Sequence, residues 1–214
     1  MGLFSKQTYP DFFEKYLQSF QTKNQDVKDT RFVVFDTETT GLDSKNDRLL
    51  SIGCVAVKNF SISISDQLEI YVYQEEFKKE TVKIHGLLKH GTFTKIDELK
   101  ALKAFLNYVQ NSILVAHHAA FDISMINEVL KRNNLPKLKN KVIDTALLYK
   151  KSKYVKDEKH YSLDDLCRLF NLKMHDRHTA SGDAYLTALV FLKISKLLKA
   201  KKKKLQLRHF IGWF

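Results

Sequence analysis

Residues 33–42 read Val-Val-Phe-Asp-Thr-Glu-Thr-Thr-Gly-Leu. An apolar run ends in two carboxylates, Asp36 and Glu38, two residues apart. Side chains on a β-strand repeat every two residues, so both acids point to one face of the strand that the apolar run predicts. Two like charges side by side at the end of a core strand are costly. A divalent cation removes that cost, and hard cations take oxygen ligands. Solvated acids at a strand end are the alternative reading, and it leaves the matched parity unexplained.

Two further acidic segments lie downstream. Residues 113–126 read Ile-Leu-Val-Ala-His-His-Ala-Ala-Phe-Asp-Ile-Ser-Met-Ile, a strand turning into a helix with Asp122 in its first turns. Residues 178–188 read His-Thr-Ala-Ser-Gly-Asp-Ala-Tyr-Leu-Thr-Ala, with His178 and Asp183 five residues apart at the start of the last long helix.

The order Asp-x-Glu, His-x-Ala-x-Phe-Asp, His-x4-Asp resembles the DEDDh group of DnaQ-like 3′–5′ exonucleases, which includes proofreading subunits of bacterial DNA polymerase III. The resemblance spans about residues 31–195. Smaller signatures fall in the family's order: Ile84-His85-Gly86-Leu87, Val142-Ile143-Asp144-Thr145-Ala146 and Ser162-Leu163-Asp164-Asp165-Leu166-Cys167. The chain departs from the family at His118, where Asn is usual. The sister group carries Tyr-x3-Asp, and no Tyr occupies residues 171–182, so the histidine group is the better match.

A chain of 214 residues is most simply one core with extensions. Apolar residues make up 44% and charged residues 28%, ordinary for a globular protein. No apolar run reaches the roughly 18 residues of a membrane span, and Tyr9–Phe20 is broken by Asp11, Glu14 and Lys15, unlike a secretory signal. The opening Met1-Gly2 resembles an acylation site but has Lys6 where Ser or Thr belongs. Cys54 and Cys167 sit in apolar strings and read as buried free thiols of a reducing, cytoplasmic compartment. The net charge is +12, and eight cations follow Asp183 with no acid among them. Such a balance suits a polyanionic partner, although a solvated, solubilising tail explains it equally well.

Phe12, Phe13, Tyr16, Leu17 and Phe20 recur at helical spacing after Pro10, so residues 1–30 read as an extension whose helix packs on the core. Strands are expected at 31–35, 49–57 and 67–73 as an antiparallel meander. A helix over 96–109, a strand at 113–116, a helix over 121–132, a strand at 142–143 and three more helices follow. Ser162 and Asp165 form a capping box. Strands then strand–helix alternation predict an α/β fold, a mixed sheet with helices on both faces. The resemblance implies the ribonuclease H-like fold with five strands, the last two parallel to the first. Residues 31–198 would form the exonuclease domain, and 199–214 a basic, aromatic tail.

The resemblance also implies the chemistry. Phosphodiester hydrolysis must activate water, neutralise the non-bridging oxygens and stabilise the leaving oxygen, and two metal ions do all three. Asp36, Glu38, Asp122 and Asp183 would hold two Mg²⁺ or Mn²⁺ ions, with Asp36 bridging, Glu38 and Asp183 on the ion beside the attacking water, and Asp122 supporting the second. His178 would be the general base, since imidazole accepts protons near neutral pH. Thr37, Thr39, Gly41 and Leu42 would meet the terminal nucleotide, with Leu42 wedged at the last base, and His85 and His118 would contact substrate. Asp144 reads as a helix N-cap ahead of an acid near the site, and His117 as a satisfied histidine ahead of a base.

The partner implied is the 3′ end of a single-stranded DNA, with no membrane. RNA is the alternative substrate of the same chemistry. A silent nucleic-acid-binding module would be expected to lack an acid or the histidine, and all five are present. No polymerase domain fits the chain, so any polymerase role would be as a subunit or accessory. Gln206-Leu207-Arg208-His209-Phe210 loosely matches the peptides that grip a sliding clamp, but packing of the tail's apolar residues back on the domain is the better-supported expectation.

Overall fold

The computed structural model describes residues 8–21, 26–75, 93–152 and 159–211. The elements are α1 (Asp11–Ser19), β1 (Phe32–Thr39), β2 (Leu49–Lys58), β3 (Ser61–Val72), β4 (Lys95–Ile96), α2 (Glu98–Val109), β5 (Ile113–Ala116), α3 (Ala120–Arg132), β6 (Val142–Asp144), α4 (Thr145–Lys151), α5 (Leu163–Leu169) and α6 (Ala180–Lys201). A 3₁₀ turn, Leu207–His209, follows.

One sheet runs in the order β4-β3-β2-β1-β5-β6. β1, β2 and β3 form the antiparallel meander, while β5 lies parallel to β1 and β6 parallel to β5. This is the α/β ribonuclease H-like architecture. The sheet has six strands where five were expected. The extra one, β4, pairs parallel to β3 at Lys95 and Ile96. Two residues carry no period, and Ile96 fits the helical spacing of Leu99, Leu102 and Leu106, so the sequence reads as helix there. β3 also starts six residues early, at Ser61. Its first half is largely exposed, so apolar burial does not mark it. Asn59 and Phe60 join β2 to β3 with both φ angles positive, as tight hairpin turns require.

Burial of β1 on both faces explains its apolar run. Val33 and Phe35 face a core built with α1, α2 and α3, including Phe105, Leu106, Met125 and Ile126. Phe32 and Val34 face a second core with α4, α5 and α6, including Tyr149, Leu166 and Phe191. Each such side chain contributes about 1.5–3 kcal/mol when fully buried. α1 belongs to the first core through Phe13 and Tyr16. The Tyr16 hydroxyl donates to Asn140 Oδ1 at 2.6 Å and accepts from the Lys139 N–H at 2.8 Å, which ties the N-terminal helix to the segment before β6.

The tail packs back. Phe210 is 3% exposed, with its ring 5.9 Å from Phe32 and 5.7 Å from Phe191. Leu205, Leu207 and Ile211 pack beside it. The aromatic residue of the loose clamp-peptide match is therefore part of the second core. Cys54 and Cys167 are buried free thiols. No helix among the described residues is long and apolar enough to cross a membrane.

Candidate active site

Asp36 and Glu38 share parity with Phe32 and Val34, so they continue the α6 face of β1 past the end of its core. α6 packs across β1 and β2, and its first turn brings Asp183 to the same place. One carboxylate oxygen from each of Asp36, Glu38 and Asp183 lies within 4.8 Å of the others. A small residue makes this approach possible. Gly53 is paired with Asp36 across β1 and β2, and a Cβ there would stand 2.3 Å from the backbone of Ala180 and Ser181. The start of α6 lies directly on β2 because position 53 has no side chain. Thr179 caps that helix, its hydroxyl accepting from the Gly182 N–H at 3.1 Å.

Asp122 arrives from the other side. β5 accompanies β1 only as far as Val34 and Val115, while β1 runs on to Thr39. On that freed edge, the Thr37 N–H and hydroxyl both donate to Asp122 Oδ1, at 3.0 and 2.6 Å. Asp122 is 4% exposed on the first turn of α3.

The four acids feel one another. Burial raises the Asp36 carboxyl well above the usual range, and the charges of Asp122, Asp183 and Glu38 raise it further. Burial, then Asp183 and Asp122, push Glu38 up to about 8. Burial pushes Asp122 up to about 7 against the opposing Thr37 hydrogen bonds. Clustered oxygen donors that repel one another are what a hard divalent cation stabilises, so the donor set fits such an ion.

Arg177 is a residue the sequence reading missed. Its Nη1 contacts Asp183 Oδ1, and its Nε donates to Asp164 Oδ1 at 2.7 Å. Its charge partly offsets the repulsion at Asp36 and Glu38. Nothing in the sequence marks it beyond adjacency to His178. Gly53 was likewise read only as part of a strand.

His178 is exposed in the turn before α6, with φ of 62°. Leu42 stands 88% exposed in the loop after β1, a loop held by Asp47, whose carboxylate accepts from the Thr40 hydroxyl and the Asp43 N–H. Thr37 is buried with its hydroxyl on Asp122, and the Thr39 hydroxyl donates to the Gly41 carbonyl at 2.7 Å. His118 is exposed at a φ of 57° between β5 and α3. His85 lies outside the described residues. Asp144 caps α4 by accepting from the Ala146 and Leu147 N–H groups, and also accepts from Ala119. His117 has both ring nitrogens engaged, Nδ1 with the Thr145 hydroxyl and Nε2 with the Tyr161 carbonyl. Burial, then the neighbouring His118, lowers it to about 4.

The ribonuclease H-like sheet brings three carboxylates together at the end of its first strand, a donor set suited to metal-assisted hydrolysis. The RNase T exonuclease family model matches residues 33–191, and the chain belongs to that family. The PolC-type DNA polymerase III of Caldanaerobacter subterraneus subsp. tengcongensis is 37% identical over 172 residues, 78% of this chain. The chain spans only 12% of that polymerase's length. Exonuclease X in complex with 5′ overhanging duplex DNA superposes with a TM-score of 0.63 at 21% identity, covering 85% of this chain and 99% of that one. E. coli exonuclease I in complex with a dT13 oligonucleotide gives 0.67 at 14% identity, covering 80% and 42%. Both likenesses show the shared fold.

Proposed function

We propose that this protein is a metal-dependent 3′–5′ exonuclease that removes nucleoside monophosphates from the 3′ end of single-stranded DNA, in proofreading or repair. The observation that carries the reading is the convergence of Asp36, Glu38 and Asp183 within 4.8 Å, with no cation among the described residues but Arg177 set against them. Similarity to a segment of PolC-type polymerases supports DNA as substrate and a role beside a polymerase.

Asp36, Glu38 and Asp183, with Asp122 behind Thr37, would hold Mg²⁺ or Mn²⁺. Bound there, the metal supplies Lewis acidity and a more acidic water. The chain's own groups do the rest. His178, exposed in the turn that leads into α6, would take the proton of the attacking water on its imidazole nitrogen. Leu42, standing clear of the loop after β1, wedges against the terminal base. The Asp122–Thr37 pair keeps one carboxylate fixed at the strand edge, so the donor set does not reorganise when substrate enters. The Lys- and Arg-rich surface attracts the phosphate backbone without reading sequence.

Oligonucleotides labelled at either end test the reading, as DNA and as RNA, with Mg²⁺, Mn²⁺ or EDTA. A 5′-labelled strand should shorten one nucleotide at a time, and a 3′-labelled one should release labelled mononucleotide at once. EDTA should stop both. Preference for RNA would move the substrate, internal cleavage would overturn the direction, and activity in EDTA would overturn the metal site.

A further inference from the structure

Tyr71 lies on β3 in register with Ser51 of β2, which is in register with Glu38 of β1. Paired residues share a face, and strands lie about 4.8 Å apart, so Tyr71 stands about 10 Å from Glu38 on the side that carries the acids. Glu69, two residues before it on the same face, accepts from the Ser181 hydroxyl of α6. The active end of α6 and this part of β3 are thus one surface. The Tyr71 hydroxyl donates to Glu69 Oε1 at 2.9 Å, which holds the ring. Phe93 stacks on it with centroids 4.1 Å apart and planes 11° from parallel. Phe93 remains 50% exposed, so the stack is open to solvent.

The surface continues as an open groove of about 530 Å³ lined by Ile64, Lys173, His175 and Tyr185 among others. Ile64 is 73% and Tyr185 45% exposed. Two acids, Glu69 and Asp176, also line it, and Glu69 is engaged by Tyr71 and Ser181.

We infer that the stacked Tyr71–Phe93 pair and the adjoining groove form a base-stacking track for the single-stranded DNA that leads into the acidic site. The inference rests on the function proposed above and specifies where the rest of the strand runs. With the 3′-terminal nucleotide at the acids, only nucleotides on its 5′ side can lie over β3. Single strands bind by stacking bases on aromatic faces along a basic groove, which tolerates any sequence. Two features select that occupant over a protein partner. The rings are stacked on one another with Phe93 half in solvent, and the track is continuous with the acids through the Glu38–Ser51–Tyr71 register. Lys173 is the groove's lysine, and the net charge of +12, concentrated after Asp183, suits a polyanion.

The variants Phe93→Ala and Tyr71→Ala, with Tyr71→Phe as the conservative control, test the inference. Affinity for oligothymidylates of increasing length is read by fluorescence anisotropy with Ca²⁺ replacing Mg²⁺, and hydrolysis of the p-nitrophenyl ester of thymidine 5′-monophosphate reports the acids alone. In the wild type, affinity should rise with length once the strand reaches the track. Each alanine variant should weaken binding of long oligomers about five- to hundredfold. Tyr71→Phe should retain it, and the small ester should be hydrolysed at the wild-type rate by all three. Phe93 is half exposed, so its replacement leaves the fold intact. A wild type that cleaves from 3′ ends while both alanine variants keep full length dependence overturns the track alone. A wild type that neither binds nor trims DNA overturns the proposed function and the track with it.

Discussion

Thr37 gives both its backbone N–H and its hydroxyl to one oxygen of Asp122, across the edge of β1 where β5 has stopped. The pair is buried on both sides. It fixes an acid from α3 to the edge of the strand that carries Asp36 and Glu38. Hydrogen bonds to charged groups contribute about 1.5–3 kcal/mol. Thr37→Val keeps the N–H and the shape but deletes the hydroxyl. It should lose about tenfold or more in turnover and weaken Mn²⁺ binding in calorimetry, while Thr37→Ser retains most of both. Equal turnover in Thr37→Val and wild type would show that Asp122 needs no such support.

Repulsion among the acids should set the pH dependence of the metal-free protein. Glu38 is raised to about 8, Asp122 to about 7, and Asp36 well above its usual range. In the unfolded chain these groups titrate at about 4. The folded state therefore holds protons that the unfolded state has released, and the stability these three acids contribute is fully present below about pH 4 and is lost as pH rises through 7 and 8. In EDTA the melting temperature should drop between pH 5 and 9. Mg²⁺ should remove most of the drop, and Asp36→Asn should flatten it while abolishing activity. A metal-free protein whose stability is level over that range would contradict the cluster.

Gly53→Ala should act at a distance from the chemistry. A methyl group at that position meets the backbone of Ala180 and Ser181, which cannot give as a flexible side chain would. The start of α6 must lift, carrying Asp183 away from Asp36. Misplacement of about an ångström costs on the order of 10²-fold in rate. The expected result is a large loss in turnover, with a spectrum and cooperative melt that still report the fold. A turnover equal to wild type would mean that α6 is not seated by position 53.

His178→Ala should lower turnover by about 10²–10⁴-fold if the imidazole takes the water's proton. The side chain is exposed in the turn before α6 and is outside the carboxylate cluster. Mn²⁺ affinity by calorimetry should therefore stay at the wild-type level. A matching fall in Mn²⁺ affinity would make His178 a ligand instead.

Asp36 and Glu38 were legible from a strand's period, and Asp122 and Asp183 from the ordered motifs of the family the chain resembles. Asp36 and Glu38 sit two apart on a strand, and Asp183 falls in the first turn of a helix whose apolar run is unmistakable. Ser162 and Asp165 cap α5 as their spacing predicts, and Asp144 caps α4. What stayed hidden depends on contacts between elements. Gly53 is one small residue in an apolar strand until α6 is laid across it. Arg177 is a loop cation until the turn folds it onto Asp183. β4 is too short to have a period. Thr37, which the resemblance places against the terminal nucleotide, turns its side chain to the opposite face from the acids beside it, toward Asp122 on α3.

His117 should make the fold sensitive to acid. Its Nε2 donates to the Tyr161 carbonyl at 3.0 Å, and its Nδ1 lies 2.9 Å from the Thr145 hydroxyl. Burial lowers it to about 4, against ~6.5 in the unfolded chain. A depressed histidine contributes stability that is present above about pH 6.5 and is lost as pH falls toward 4. His117→Gln should show less loss of stability across that window by urea titration. An unchanged acid limb in the variant would place the sensitivity elsewhere.

Phe210 should behave as a core residue although only four residues of the sequence follow it. Its ring sits against Phe32 at the start of β1 and Phe191 on α6, at 3% exposure. A mobile clamp-binding peptide on a lysine spacer would leave that ring in solvent. Truncating a buried phenylalanine costs about 3–5 kcal/mol, a large part of a typical domain's stability of about 5–15 kcal/mol. Phe210→Ala should therefore lower the urea midpoint strongly without changing its slope. Removal of residues 205–214 should do at least as much, since Leu205, Leu207 and Ile211 pack on the same core. Arg208→Ala, at an exposed position on the 3₁₀ turn, is the control and should leave the midpoint in place. If Phe210→Ala unfolds at the wild-type midpoint, the tail is not part of the second core, and Gln206–Phe210 becomes available as a binding peptide.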